Sequence, residues 1–404
     1  MKKHLFSAAL FSATTVLSFP TMAQTKANVE AFDQPIELQV GGYMTWYGTY
    51  GNQRKSTLTV AGPNVGNYNN VDLMGNAEVY FSGKTKLKND VEIGAMIQLK
   101  AGTDSDTSNH VIDETYMTFD SKIGRVIVGN VKNVSNQMSV TSPSASSIGV
   151  QETDFTRILV VPAGFAYNKA TYALLDDIST KMSYITPTFS DLTLGISLMP
   201  GNKTKGKDSN TLLIPNDGIK LFKYGADVAA LYDHDFGKIN LSASATYTIY
   251  KPNIRANAGV PGVILAAAGI KEKNIKEYGG GLNIGFGNWT IGGSYHYTNM
   301  SMETAEFMNP FANVAKGAAW DAGVKFTAGP VETSVNVLQS RAESLTVNGK
   351  KDIYTQYQLA GKYNIIKGIS AFANLGYMNF RSASNNRALS NRGPVAAIGM
   401  NLNF

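Results

Sequence analysis

The feature that most constrains this chain is an alternation of apolar and polar residues with a period of two, repeated along its length. Over 36–50, Leu38, Val40, Gly42, Met44 and Trp46 share one side, and Glu37, Gln39, Thr45 and Thr49 share the other. Successive side chains of a strand point to opposite faces, so such a segment has one oily and one polar face. Over 90–100, Val91, Ile93, Ala95, Ile97 and Leu99 oppose Glu92, Gln98 and Lys100. Over 238–250, Ile239, Leu241, Ala243, Ala245, Tyr247 and Ile249 oppose Asn240, Ser242, Ser244, Thr246 and Thr248. Sixteen such segments are expected, at 36–50, 72–88, 90–100, 112–120, 123–130, 179–187, 191–199, 223–234, 238–250, 276–286, 289–299, 317–328, 331–341, 352–365, 369–380 and 394–404.

The connections between them alternate short and long. The short ones are Asn89-Asp90, 120–123, 187–191, 235–238, Gly287-Asn288, Gly329-Pro330 and 366–368, rich in the Asn, Asp, Gly and Pro that tight turns demand. The long ones cover 51–71, 101–111, 131–178, 200–222, 251–275, 300–316, 342–351 and 381–393. Short turns on one side and long loops on the other are the build of a transmembrane β-barrel in an outer membrane. A soluble sandwich would carry Greek-key jumps and more charge on its second face. Charged residues make up only 16% of this chain, against about 25% for an average soluble domain. Its 39 glycines and 20 tyrosines suit a barrel with aromatic girdles.

The first residues read differently. Lys2 and Lys3, the apolar run Leu5 to Phe19, and Thr21-Met22-Ala23 form the pattern of a secretory signal peptide cleaved after Ala23. The division is therefore 1–23 signal peptide and 24–404 barrel. The longest later apolar run, Val260 to Ile270, holds Pro261, Gly262 and Gly269, and is too short and broken to span as a helix. The chain has no cysteine, so a disulfide scaffold and thiolate metal sites are excluded, although an exported chain meets an oxidising compartment. A closed ring with every backbone group paired offers an alternative source of stability. The net charge of +6 is scattered, which is not a nucleic-acid footprint. No cofactor or metal is expected.

Several local signals have a plain reading. Gly279 to Gly287 is glycine-rich, but strand alternation runs through it and no helix follows, so it is no phosphate loop; its glycines let strands approach and bend. Asp233-His234-Asp235 borders a turn, where the histidine is expected to be solvated, and His296 is expected to face the lumen without a defined partner. Tyr43, Tyr47, Trp289, Tyr295 and Tyr297 read as interface-belt residues. The last strand, Ala396, Ile398, Met400, Leu402 and Phe404 alternating with small and polar residues, ends the sequence on an aromatic. That ending resembles the signal recognised when outer-membrane barrels are assembled.

Ile36 to Tyr50, Gly124 to Asn130, Thr180 to Pro187, Leu192 to Ser197, Gly280 to Gly287 and the final strand, in this order and spacing, resemble the general porins of Gram-negative bacteria, in particular the branch common in alphaproteobacteria. The resemblance covers nearly all of the chain after 23. It implies a trimeric, sixteen-stranded antiparallel barrel in the outer membrane, contacting lipid and lipopolysaccharide and assembled by the barrel machinery through Phe404. It also implies a third long loop, 131–178, that folds inward and narrows a water-filled pore for small hydrophilic solutes.

The loop's apolar centre, Ile158 to Ala166, would be buried against the inner wall. Its charged residues are Glu152, Asp154, Arg157, Lys169, Asp176 and Asp177. Alternation turns Glu78, Lys84, Lys86, Glu92, Lys100, Glu114 and Arg125 inward, and later Lys181, Asp227, Glu277, Asp321, Lys325, Glu332 and Lys362. By resemblance, acidic loop residues face basic wall residues, and the constriction is assigned to Glu152, Asp154 and Arg157 on the loop and Lys84, Arg125 and Glu78 on the wall, with Glu152 and Asp154 opposing Lys84 and Arg125. Opposed charges create a transverse field that favours polar solutes. The alternative is that these charges are merely solvated in a wide lumen. Two other functions stay open: a substrate-selective channel, which would need an aromatic ladder or basic track, and a barrel enzyme, which would need a catalytic set at the rim. No such set is evident, with only His110, His234 and His296 beyond residue 23.

Overall fold

The computed structural model describes residues 36–59, 62–63, 69–101, 112–150, 153–168, 170–173, 178–201, 222–252, 273–300 and 315–404. The proposed signal peptide, His110, the apolar run 260–270 and most of the connections 101–111, 200–222, 251–275 and 300–316 lie outside them.

The strands are β1 (Glu37–Gly51), β2 (Leu58–Thr59), β3 (Gly62–Pro63), β4 (Val71–Lys86), β5 (Glu92–Lys100), β6 (Ile112–Ser121), β7 (Gly124–Lys132), β8 (Ile178–Ile185), β9 (Leu192–Met199), β10 (Phe222–Asp235), β11 (Ile239–Pro252), β12 (Ile275–Phe286), β13 (Trp289–Thr298), β14 (Gly317–Ala328), β15 (Val331–Glu343), β16 (Lys351–Ile366), β17 (Ile369–Arg381) and β18 (Asn391–Asn403). β2 and β3 pair only with each other, a small hairpin inside the first long connection. The other sixteen form one closed barrel in which each strand pairs antiparallel with its neighbours in sequence. Closure is between β1 and β18, from Tyr43 opposite Asn403 to Gly51 opposite Val395. The ring has no open edge, so every strand has a hydrogen-bonded neighbour on both sides. No helix among the described residues is long and apolar enough to cross a membrane.

The register carries one parity round the ring. Leu38, Val40, Met44 and Trp46 of β1 lie beside Phe81 and Leu73 of β4 and Met400 and Ile398 of β18, all on the outer face and exposed. Leu38 is 81% and Ile398 69% accessible. Water-soluble chains do not present a continuous belt of this kind, because each exposed apolar Å² costs about 25 cal/mol. Hydrocarbon around the barrel removes that cost. Trp289, Tyr295 and Tyr297 lie on this outer face, as a belt residue must. Tyr43 and Tyr47 do not: they share the inward parity of Thr45 and Thr49, and Tyr47 is buried among lumen side chains. Their odd position in β1 turns them into the barrel, so the belt assignment is corrected for both.

The barrel has a short-turn end and a long-connection end. At the former, Gly237, Gly287, Gly329 and Gly368 adopt positive φ, and Asp90, Ser190 and Asp191 do the same without being glycine. Asp90 is held there by Lys86 at 2.9 Å and Lys122 at 3.4 Å, and the Lys86 ammonium keeps its carboxyl below the usual aspartate range. His234 has a side-chain partner rather than being merely solvated, its Nδ1 2.7 Å from Asp191 Oδ2.

Candidate functional site: the lumen and its inward loop

The third long connection enters the barrel. It leaves β7 through α1 (Val134–Gln137), capped by the Asn133 side chain accepting from Asn136 N, and includes a second short helix, α2 (Thr153–Thr156). It then runs along the inner wall of the strands from β9 to β18 and returns. A loop inside a barrel must satisfy its backbone without strand partners. Here inward-pointing wall residues do this. Ser197 Oγ accepts from Val134 N (3.0 Å), Asp227 Oδ1 from Ser135 N (2.9 Å), Ser244 Oγ from Val140 N (2.8 Å) and Ser334 Oγ from Ala145 N (2.9 Å). Asn336 Nδ2 donates to Pro143 O (2.8 Å) and Gln358 Nε2 to Ile148 O (2.7 Å). On the return, Asp352 Oδ2 accepts from Ala166 N (3.0 Å) and Ser340 Oγ from Asn168 N (2.8 Å).

Between these anchors the loop buries an apolar core against the wall. Ile148, Val150, Phe155, Leu159, Phe165 and Tyr167 pack on Tyr47, Leu338, Tyr354, Phe372, Met378, Phe380 and Val395. Tyr354 stacks on Phe380 at 4.6 Å, and Phe165 meets Phe380 edge-on at 5.4 Å. Val134, Met138 and Val140 form a second cluster with Ala229 and Leu231. The stretch Ile158 to Ala166 is thus seated on the inner wall, with Leu159, Phe165 and Ala166 buried. Burial of the Tyr167 phenol pushes its pKa up to about 12.

The seat needs wall positions without side chains. A Cβ on Gly281 would stand 1.8 Å from the carbonyl oxygen of Val140, and one on Gly376 would stand 2.8 Å from the Phe155 ring. The glycine run 279–287 therefore admits the loop backbone at Gly281, a reason beyond strand bending.

Inward parity is borne out by the register for Glu78, Lys84, Lys86, Glu92, Lys100, Glu114, Arg125, Lys181, Asp227, Glu277, Asp321, Lys325, Glu332 and Lys362. Inward does not mean solvated. Asp227 and Asp321 are buried beneath the loop and anchor it. Glu277 and His296 are buried side by side, with Nε2 3.3 Å from Oε1 but no hydrogen bond between these two atoms.

Across the lumen stands the arc β4 to β7, where among the described residues Met74 packs on the loop's apolar cluster. There Glu78 Oε2 accepts from the Tyr80 hydroxyl (3.0 Å) and from Gln98 Nε2. Lys100 Nζ pairs with Asp113 Oδ1 at 3.1 Å, and Glu114 is the neighbour of Gln98 on β6. Tyr43 and Tyr80 present their rings to each other at 6.4 Å. Asp113 was not expected to face inward. The pairing slips between Gln98 and Leu99, which leaves Asp113 as an extra residue and breaks the alternation.

Of the sequence-predicted constriction residues, Glu78 lies in mid-strand on this arc. Lys84 and Arg125 lie at the short-turn end. Lys84 is 3.8 Å from Glu37 and 3.7 Å from Glu92, and Arg125 is bonded to Asp120. Among the described contacts neither meets the loop. Glu152, Lys169, Asp176 and Asp177 lie outside the described residues; Asp154 falls in α2 with its side chain outside them; Arg157 is exposed. No group of three or more His, Cys, Asp or Glu able to hold a metal occurs among the described residues.

Known proteins share this architecture. The computed fold is similar to the anion-selective porin from Comamonas acidovorans, with a TM-score of 0.58 at 14% identity, covering 92% of this chain and all of that one. It is also similar to Salmonella typhi OmpF solved with daunomycin, with a TM-score of 0.61 at 13% identity, covering 91% and 97%. Among sequences, an uncharacterized protein of Rickettsia conorii is 22% identical over 370 residues, 79% of this chain and 82% of the relative. An uncharacterized protein of Rickettsia typhi is 22% identical over the full length of both. The sequence profile described as Gram-negative porin matches residues 7–383. A match of that extent, on a closed sixteen-stranded barrel with an apolar girdle, means that the chain belongs to the Gram-negative porins, β-barrel channels of the outer membrane.

Proposed function

We propose that this porin passes small polar solutes and ions by passive diffusion through water beside the seated loop, with no catalytic step. The observation that carries this reading is the asymmetry of the lumen. From β9 to β18 many inward polar groups anchor the loop, and Lys325, Glu332 and Lys362 pair with one another near the short-turn end, whereas the arc β4 to β7 carries Glu78, Lys100, Asp113 and Glu114 on its inner surface. Solutes pass between that arc and the loop crest, where Glu152, Asp154 and Arg157 belong in sequence. In this reading Glu78, Asp113 and Glu114 set the field at the narrowest level, and Lys84 and Arg125 act at the periplasmic mouth. The experiment is single-channel recording in a planar bilayer. Conductance that rises in proportion to salt, unaffected by millimolar sugars or amino acids, supports diffusion. Saturation or block by one solute supports a selective channel, the reading favoured by the facing rings of Tyr43 and Tyr80.

Three further assignments belong to the same proposal. Residues 1–23 are removed on export, read from the basic start and the Thr21-Met22-Ala23 site. The barrel works as a homotrimer in contact with lipid and lipopolysaccharide. Phe404 serves the assembly machinery, supported by its place on the outer face at the short-turn end, where its amide and carbonyl pair with Gly42.

A further inference from the structure

We infer that Glu277 of β12 and His296 of β13 are two ligands of a zinc-class divalent ion, held on the inner wall beneath the returning limb of the loop. Each side chain is only 1% exposed. The carboxylate accepts from the Thr248 hydroxyl at Oε2 (3.3 Å), which leaves Oε1 without a hydrogen-bond partner. Both nitrogens of the imidazole lack one too. No lysine or arginine among the described residues pairs with Glu277. An ionised carboxylate sealed from water without a cation, beside an imidazole with no partner, is a costly arrangement. One ion between the two side chains removes both costs.

The spacing fits such an ion. Nε2 and Oε1 are 3.3 Å apart. Two ligand atoms that each lie about 2.0–2.1 Å from a tetrahedral ion stand about 3.3 Å from one another. In a direct hydrogen bond the oxygen lies close to the axis of the ring nitrogen, whereas around a shared ion it lies well off that axis. The absence of a hydrogen bond across so short a gap is what the second arrangement requires. The register supplies the surroundings. Glu277 stands opposite Thr248 on β11 and Thr298 on β13, so two buried hydroxyls flank the carboxylate and can hold water in the open positions of the ion. His296 pairs with Gly279 and Ala319, which are small and crowd the ring little.

The donor set selects the ion. Calcium and magnesium take shells of oxygen rather than imidazole. Soft ions want thiolate, and the chain has no cysteine. One neutral imidazole with one carboxylate suits zinc and its first-row neighbours. The inward carboxylate of β14, Asp321, is already taken by Ser142, Thr171 and Ser294, so the ion has two protein ligands and water. The limb passes above the pair. Asn168 N donates to Ser340, which pairs with Ala319, the register partner of His296, and Ser294, two residues along β13 from His296, donates to Thr171. This roof keeps bulk water away and strengthens the attraction of Glu277 for a cation.

The test is equilibrium dialysis of the whole detergent-solubilised barrel near neutral pH against zinc, calcium or magnesium, with bound metal counted per chain by atomic emission. The parent for the test carries His110→Gln and His234→Gln, which leaves His296 as the one histidine beyond residue 23. One zinc per chain is expected, held roughly tenfold or more tighter than calcium or magnesium. Glu277→Gln and His296→Gln should each weaken it on the order of tenfold or more, with the strand signal in circular dichroism unchanged. X-ray absorption at the zinc edge keeps the site testable if those two variants do not assemble. One imidazole nitrogen at about 2.0–2.1 Å among oxygens is expected. A shell of oxygens alone, zinc held no tighter than calcium, zinc undiminished in both variants, or no zinc at all would overturn the site. The last result would leave a pair that shares a proton instead of an ion. Conductance enters none of these readouts, so the result stands apart from the diffusion proposal.

Discussion

The hydroxyl of Thr171 donates to Oδ2 of Asp321 at 2.8 Å, on the returning limb of the inward loop. The other oxygen of the same carboxylate accepts from the amide of Ser142, on the outgoing limb, at 3.1 Å, and from Ser294 Oγ at 2.8 Å. One buried wall residue thus clasps both limbs of a segment that would otherwise have to find backbone partners in water. Hydrogen bonds to a charged group contribute about 1.5–3 kcal/mol each, and a donor left unpaired in a buried seat costs about as much. Asp321→Ala is expected to loosen the loop by several kcal/mol while leaving the strand ladder intact. The check is limited proteolysis within 133–173 together with single-channel recording. A faster cut and a noisier, larger conductance are expected; a loop as resistant as in the parent would show that the clasp is dispensable.

The glycine at 281 gives a steric version of the same experiment. Gly281→Val puts branched carbons where the Val140 carbonyl oxygen now lies. Overpacking usually costs about 1–3 kcal/mol, and backbone gives less readily than a side chain. The outgoing limb should lift off β12, so conductance should rise without loss of barrel content. Gly361→Val, on the outer face with open space around its Cβ position, serves as the control and should change nothing.

Much of this fold was legible in the sequence. Strand alternation located all sixteen barrel strands; the largest shift at a boundary is three residues, where β18 begins at Asn391 rather than 394. That succeeds because lipid outside and polar surroundings within impose opposite demands on neighbouring residues. It fails where a third environment intervenes. Leu338, Phe372, Met378, Phe380 and Val395 face inward yet are apolar, because the loop covers them. Asp227 and Asp321 have the pattern of pore-lining charges and are loop anchors instead. Parity reports direction, not depth or cover, so it could not place Lys84 and Arg125 at the mouth, and it could not anticipate the slip that turns Asp113 inward.

If the arc β4 to β7 sets the field, the charges at its mid-height matter more than those at the mouth. Glu78→Gln with Glu114→Gln removes two negative charges from the level of Lys100. The reversal potential under a tenfold salt gradient should move toward anion preference by tens of millivolts. Lys84→Gln with Arg125→Gln, each already paired with carboxylates at the periplasmic end, should move it by a few millivolts. Interactions across a wet mouth are screened beyond about 10 Å at ordinary salt. Equal shifts from the two pairs, or none from the first, would count against an eyelet on β4 to β7.

Alkaline titration probes the loop seat without any substitution. Burial pushes the Tyr167 phenol up to about 12, above its ordinary value of 10.0, while its hydrogen bond with Thr156 pulls slightly the other way. A raised pKa means that the seated state holds the proton more tightly than the released one. Its contribution is therefore complete below pH 10 and is lost progressively as the pH rises toward 12. Each unit is about 1.4 kcal/mol, so the seat weakens by up to about 3 kcal/mol across that window. Conductance should rise between pH 10 and 12, in step with tyrosinate absorbance, and return on acidification. Tyr167→Phe keeps the ring packed against Phe165 and Phe380 but removes the proton. It should flatten the Tyr167 part of the response, and an unaltered titration curve would assign the alkaline release to another group.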